Sequence, residues 1–133
     1  MSDLLGGQVP SLFASAPTAV GPAKAGKIRA LATTGPKRSA SFPDLPTIAE
    51  AGYPGYEATN WYAIVAPAKV PKEIIERLNR DIVRTLHDPE TRDHLLAHGE
   101  EPSPGTPAEL GRYMKSEYET WGKVVKEAHI QAN

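Results

Sequence analysis

Two histidines four residues apart, His94 and His98, with His87 further upstream, come nearest to metal chemistry in this sequence. Side chains at i and i+4 share one face of a helix, and two imidazoles so placed can hold one ion. The rest of such a site is absent. No glutamate stands between the pair in the metalloprotease position, Arg92 and Asp93 give the stretch a polar character, and no third ligand is specified. The pair reads as part of a solvated helix face, and no metal site is assigned. The sequence also lacks a Gly-x-Ser-x-Gly elbow, a phosphate loop and a dinucleotide fingerprint. The sixteen acidic side chains single out no acid–base pair. Neither an enzyme nor a cofactor is expected.

The elements that would position any site follow from the punctuation of the chain. Asp3, Leu4 and Leu5 followed by Gly6-Gly7 read as the last turn of a helix running into a left-handed glycine stop. Residues 9–13 form a short apolar run suited to a buried strand. Ser15-Ala16-Pro17-Thr18 then starts a helix, with Ser15 or Ala16 at the cap and proline in the first turn, ending at Gly26. Residues 28–33 alternate in part and read as a strand, 35–39 as a loop, 44–52 as a two-turn helix closed by Gly52, and 56–67 as a long extended segment closed by Pro67.

The second part of the chain is helical. From Pro71, Ile74, Ile75, Leu78, Ile82, Val83 and Leu86 fall on one stripe. Asp88-Pro89 caps a further helix that carries Leu95 and Leu96 and stops at Gly99. Thr106 and Glu109 form a capping box around Pro107, opening a closing helix with Leu110, Tyr113, Met114, Glu117, Trp121, Val124, Val125 and Ala128 at helical spacing. Strand and helix alternation followed by helices implies an α/β fold with some parallel pairing.

Composition narrows the partners. At 133 residues and 40% apolar content the chain suffices for one core, and 15 basic against 16 acidic residues with no basic run argue against nucleic acid. No apolar stretch approaches the ~18–20 residues of a membrane span. The N-terminus shows no basic and apolar leader, so the sequence as written reads as cytoplasmic. The absence of cysteine excludes disulfides and thiolate metal sites.

The ordered pieces Asp3-Leu-Leu-Gly-Gly-Gln-Val9, Lys24-Ala-Gly-Lys-Ile-Arg-Ala-Leu-Ala32, Lys37-Arg-Ser39, Pro43-Asp-Leu-Pro-Thr-Ile-Ala-Glu-Ala-Gly52, Trp61-Tyr62, Gly105-Thr106-Pro107 and Trp121-Gly-Lys-Val-Val-Lys126 resemble the C-terminal half of the Bug-type solute-binding proteins, the receptors of tripartite tricarboxylate transporters. The resemblance covers essentially the whole chain. It implies a partial type II periplasmic-binding-protein fold, with residues 1–57 as a remnant of the second ligand-binding lobe and 58–133 as the crossing strand and C-terminal helices of the first, packed as one unit. It implies a truncated receptor of non-enzymatic function, periplasmic if the chain is a fragment of a secreted protein, with membrane transporter subunits as partners only for a full-length receptor.

The same resemblance supplies a ligand site. In the family, the turn after the strand at 8–13 faces the cleft, and free amides at a helix start there receive a ligand carboxylate. Ser15, Ala16 and Thr18 occupy that turn. Asn60 and Trp61, on the crossing segment, offer an amide for hydrogen bonding and an indole for packing over the ligand. Pro10 and Ala14 stand where relatives often carry acidic or polar residues, which removes polar handles from that face. The expected partner is a small carboxylated solute. The alternative is a self-associating module, a homodimer or larger homo-oligomer, in which another copy covers the surfaces that the rest of the receptor would cover.

Overall fold

The computed structural model describes residues 1–131, which contain five helices: α1 (Ser2–Leu5), α2 (Ala16–Lys24), α3 (Lys72–His87), α4 (Pro89–Ala97) and α5 (Pro107–Glu127). The chain divides into two units. The first comprises Met1–Pro67 and Asp88–Pro102, the second Ala68–His87 and the chain from Ser103 on.

Helix ends follow the local chemistry of the sequence. At the end of α1, Gly7 takes φ +71°, its amide donates to the Leu4 carbonyl at 3.2 Å, and the Gln8 amide donates to Asp3 at 2.8 Å. This pair of bonds satisfies carbonyls that a helix C-terminus otherwise leaves open. The same pattern recurs at Gly26 after α2 and at Gly99 after α4. It recurs after α5 with His129 (φ 52°) in the position usually given to glycine. At the starts, the Asp88 carboxylate accepts from the Thr91 amide at 3.0 Å, and Thr106 and Glu109 exchange bonds reciprocally.

The expected α/β character is corrected: no β-strand occurs among the described residues, neither at 9–13, nor at 28–33, nor along 56–67. What remains of a sheet is one parallel bridge between Thr33 and Thr47. The Thr33 amide donates to Pro46 and the Ile48 amide to Thr33, both at 2.9 Å, while on the other side the Ala58 amide donates to Thr34 at 2.9 Å. A strand exists only as far as a neighbour supplies a ladder. Here the neighbouring segments supply one or two bonds each, so β-compatible residues remain extended without becoming strands.

The expected helix at 44–52 is also corrected to a turn. Pro46 is drawn into the bridge, and Gly52 (φ +119°) stops the chain after a single i to i+4 bond, Ala51 amide to Thr47 carbonyl at 3.0 Å. One turn cannot repay the entropy of helix nucleation.

Burial is sparse in both units. Among the described residues only Val20 (4% exposed) and Thr47 (2%) are buried, both in the first. Gly99 lies against α2 so closely that a methyl group there would meet Ala16 and Val20 at 3.0 Å, which fixes the end of α4 over the first turns of α2. In the second unit the Asn79 side-chain amide donates to the Gly105 carbonyl at 2.8 Å and ties α3 to the turn before α5. The apolar stripes of α3 and α5 contain no buried residue among those described.

Candidate functional site

The start of α2 is built from Ser15, Ala16 and Thr18. Ser15 is extended (φ −67°, ψ 144°) and caps the helix through its backbone, its carbonyl accepting from the amides of Thr18 at 3.1 Å and Ala19 at 3.2 Å. Its side chain does not cap. Ser15 Oγ lies 3.2 Å from Thr18 Oγ1, and Thr18 Oγ1 donates to the Ser15 carbonyl at 2.9 Å. Pro17 has no amide hydrogen, so the Ala16 amide is the donor at this helix start that no described residue engages. The Ala16 amide thus lies at the positive end of the helix dipole, beside two hydroxyls that bond to each other and to the Ser15 carbonyl.

Asn60 and Trp61 stand on the extended segment of the same unit. The Ala58–Thr34 bond anchors that segment, and the Thr59 methyl group packs 3.8 Å from the Cβ position of Gly35. Asn60 is exposed, and Trp61 keeps 38% of its surface in solvent. The structure thus brings Ser15 and Thr18 together at one turn and holds Asn60 and Trp61 on a separate segment.

The histidine pair has a different geometry from a metal site. The His94 and His98 rings lie 4.5 Å apart with a 31° tilt, and His98 Nδ1 donates to the His94 carbonyl at 2.8 Å. His87 belongs to the second unit, where its Nδ1 donates to the Val83 carbonyl. No group of three or more metal-ligating side chains gathers among the described residues.

Sequence reasoning missed one polar network in the first unit. The Thr47 amide donates to Glu50 Oε2 at 2.9 Å, the Glu50 amide donates to Thr47 Oγ1 at 3.1 Å, and Arg38 Nε donates to both Glu50 oxygens at 3.0 and 3.3 Å. The Thr47 amide chiefly, with Arg38 assisting, holds the Glu50 carboxyl below its usual value against a smaller opposing effect of desolvation. The signal was present: Thr47-x-x-Glu50 is a capping-box spacing, here closing a single turn instead of opening a helix. Beside this network Lys37, Arg38, Arg92 and Glu101 line an open hollow of about 390 Å³.

Comparison with known proteins gives this geometry its context. The family model described as tripartite tricarboxylate transporter family receptor matches residues 1–130. The chain belongs to that family. It is 36% identical to the protein BugT of Bordetella pertussis over 94% of its own length and 38% of that relative's. It is 35% identical to a protein encoded in the tcbD-tcbE intergenic region of Pseudomonas sp. (strain P51), over all of this chain and 40% of that one. Among solved structures, R. palustris Rpa4515 with adipate superposes with a TM-score of 0.86 at 38% identity, over 97% of this chain and 43% of that one. The periplasmic binding protein BugD superposes at 0.83 and 32% identity, over 100% and 45%. The chain therefore spans about 40% of the length of the curated relatives it matches. Members of this transporter-receptor family bind solutes and are not enzymes. Among the described residues no helix is long and apolar enough to cross a membrane.

Proposed function

We propose that this chain carries one wall of a carboxylate-binding site of a tripartite tricarboxylate transporter receptor. Ser15, the Ala16 amide and Thr18 receive a carboxylate, and Asn60 and Trp61 bear on the body of the solute. The observation that carries this reading is the relative that holds adipate: its fold agrees with 97% of this chain at a TM-score of 0.86. The local chemistry supports it, since a helix-start amide with two hydroxyls beside it favours an anion and an exposed indole favours a carbon chain. Residues 1–57 then correspond to a remnant of the second lobe and 58–133 to the crossing segment and first-lobe helices. Closure over a solute needs contacts that change between two lobes, so this wall alone binds more weakly than a complete cleft. For a full receptor the site of action is the periplasm and the partners are membrane transporter subunits.

The test is a melting-temperature series against adipate and shorter dicarboxylates. A saturable rise, diminished by Trp61→Ala and by Ser15→Ala, is the expected result. A flat response to every member of the series contradicts the reading.

A second reading, self-association, is favoured by the surface. Tyr62, Ile64 and Val65 in the first unit, and Ile74, Leu78 and Trp121 in the second, are exposed apolar side chains that a second copy would cover.

A further inference from the structure

The hollow of the first unit is lined by none of the five residues proposed for the carboxylate wall. Three cations, Lys37, Arg38 and Arg92, face it against one carboxylate, Glu101. One oxygen of that carboxylate already accepts the Ala40 amide at 2.9 Å. Neither Lys37 nor Arg92 makes an ion pair among the described residues, and Arg38 uses only Nε on Glu50. Its terminal guanidinium nitrogens therefore remain open. Scattered surface cations carry no such meaning, but these come from two walls that long-range bonds hold in place. The loop carrying Lys37 and Arg38 is fastened to the α4 side by the Ala40–Glu101 bond and by Ser41 Oγ donating to the Leu96 carbonyl at 3.2 Å, while Arg92 projects from α4 itself. Arg38 is further fixed through Glu50 to the buried Thr47. Arg38, positioned before a ligand arrives, loses little entropy on binding it.

We infer that this hollow is a second anion site, taking a small oxyanion with more than one acidic oxygen, a phosphate or a dicarboxylate. The guanidinium groups offer paired donors to such an anion and Lys37 a point charge. Leu96, Pro43 and Pro102 leave an apolar flank for a short carbon body. The site is independent of the carboxylate wall.

The test measures melting temperature against inorganic phosphate and, separately, adipate, each referenced to chloride at matched ionic strength. A saturable rise is expected, with its midpoint concentration moved up about tenfold or more by Arg92→Gln and by Lys37→Gln, the scale of a lost charge-assisted bond. Lys24→Gln leaves it in place. Lys37 and Arg92 are exposed, so these variants fold, as their melting in chloride checks. A phosphate response alone assigns the phosphate class, an adipate response alone the dicarboxylate class. No saturable rise with either anion overturns the inference, as does a rise indifferent to both substitutions. An adipate response lost in Trp61→Ala and intact in Arg92→Gln upholds the carboxylate wall, and together with no phosphate response sensitive to Arg92→Gln it overturns the hollow. The reverse pattern upholds the hollow and overturns the wall.

Discussion

Two residues in the left-handed region of the backbone face opposite balances of strain and contact. Gly99 combines φ +83° with a methyl-sized space already occupied by Ala16 and Val20 at 3.0 Å. A side chain there meets the steric cost of the left-handed conformation and the cost of overpacking, together roughly 2–4 kcal/mol, so Gly99→Ala should lower the urea midpoint markedly. His129 has φ 52° and pays the first cost without glycine's freedom. His129→Gly should therefore raise stability by roughly 0.5–1 kcal/mol in the same measurement. A neutral or stabilising Gly99→Ala would show that the end of α4 does not rest on α2 as described.

The elements differ in how much of them the sequence reveals. Helix ends are written locally: Asp88 before Pro89, the Thr106–Glu109 box, and glycines 7, 26 and 99 each perform the role their type and position suggest. Strands are not local. Residues 28–33 carry β-compatible side chains, yet pairing depends on neighbours that no window of sequence contains, and only Thr33 found a bridge. The candidate site divides in the same way. The Ser15 cap was legible from Ser-Ala-Pro-Thr, whereas the Arg38–Glu50–Thr47 network depends on a fold that brings Arg38 to a residue twelve positions on. Two capping carboxylates add a pH dependence. Backbone bonds from Thr47 to Glu50 and from Thr106 to Glu109 are the largest causes holding both below the usual value of 4.5. A carboxylate lowered in the folded state contributes its full stability above about pH 4.5 and loses it as pH falls through the folded value. The urea midpoint should decline on the acid side of pH 4.5, and less steeply in Glu50→Gln and Glu109→Gln. An unchanged acid limb in both variants would remove these carboxylates from the pH response.

For the whole molecule, surface is the governing quantity. Val20 and Thr47 are buried, while Ile74 and Leu78 of α3, most of the α5 stripe and the segment from Tyr62 to Val65 are exposed in a chain spanning about 40% of its relatives' length. Light scattering at micromolar concentration should show a dimer or larger assembly, and a monodisperse monomer would exclude self-association as the means of covering these faces. The central claim is that the start of α2 and the Asn60–Trp61 segment receive a carboxylate. Titrating adipate into the ¹⁵N-labelled chain tests it most directly. The account predicts that the Ala16 amide and the Trp61 indole N–H resonances shift together along one saturating curve. Adipate that moves neither resonance, or moves only those around Lys37 and Arg92, would contradict it.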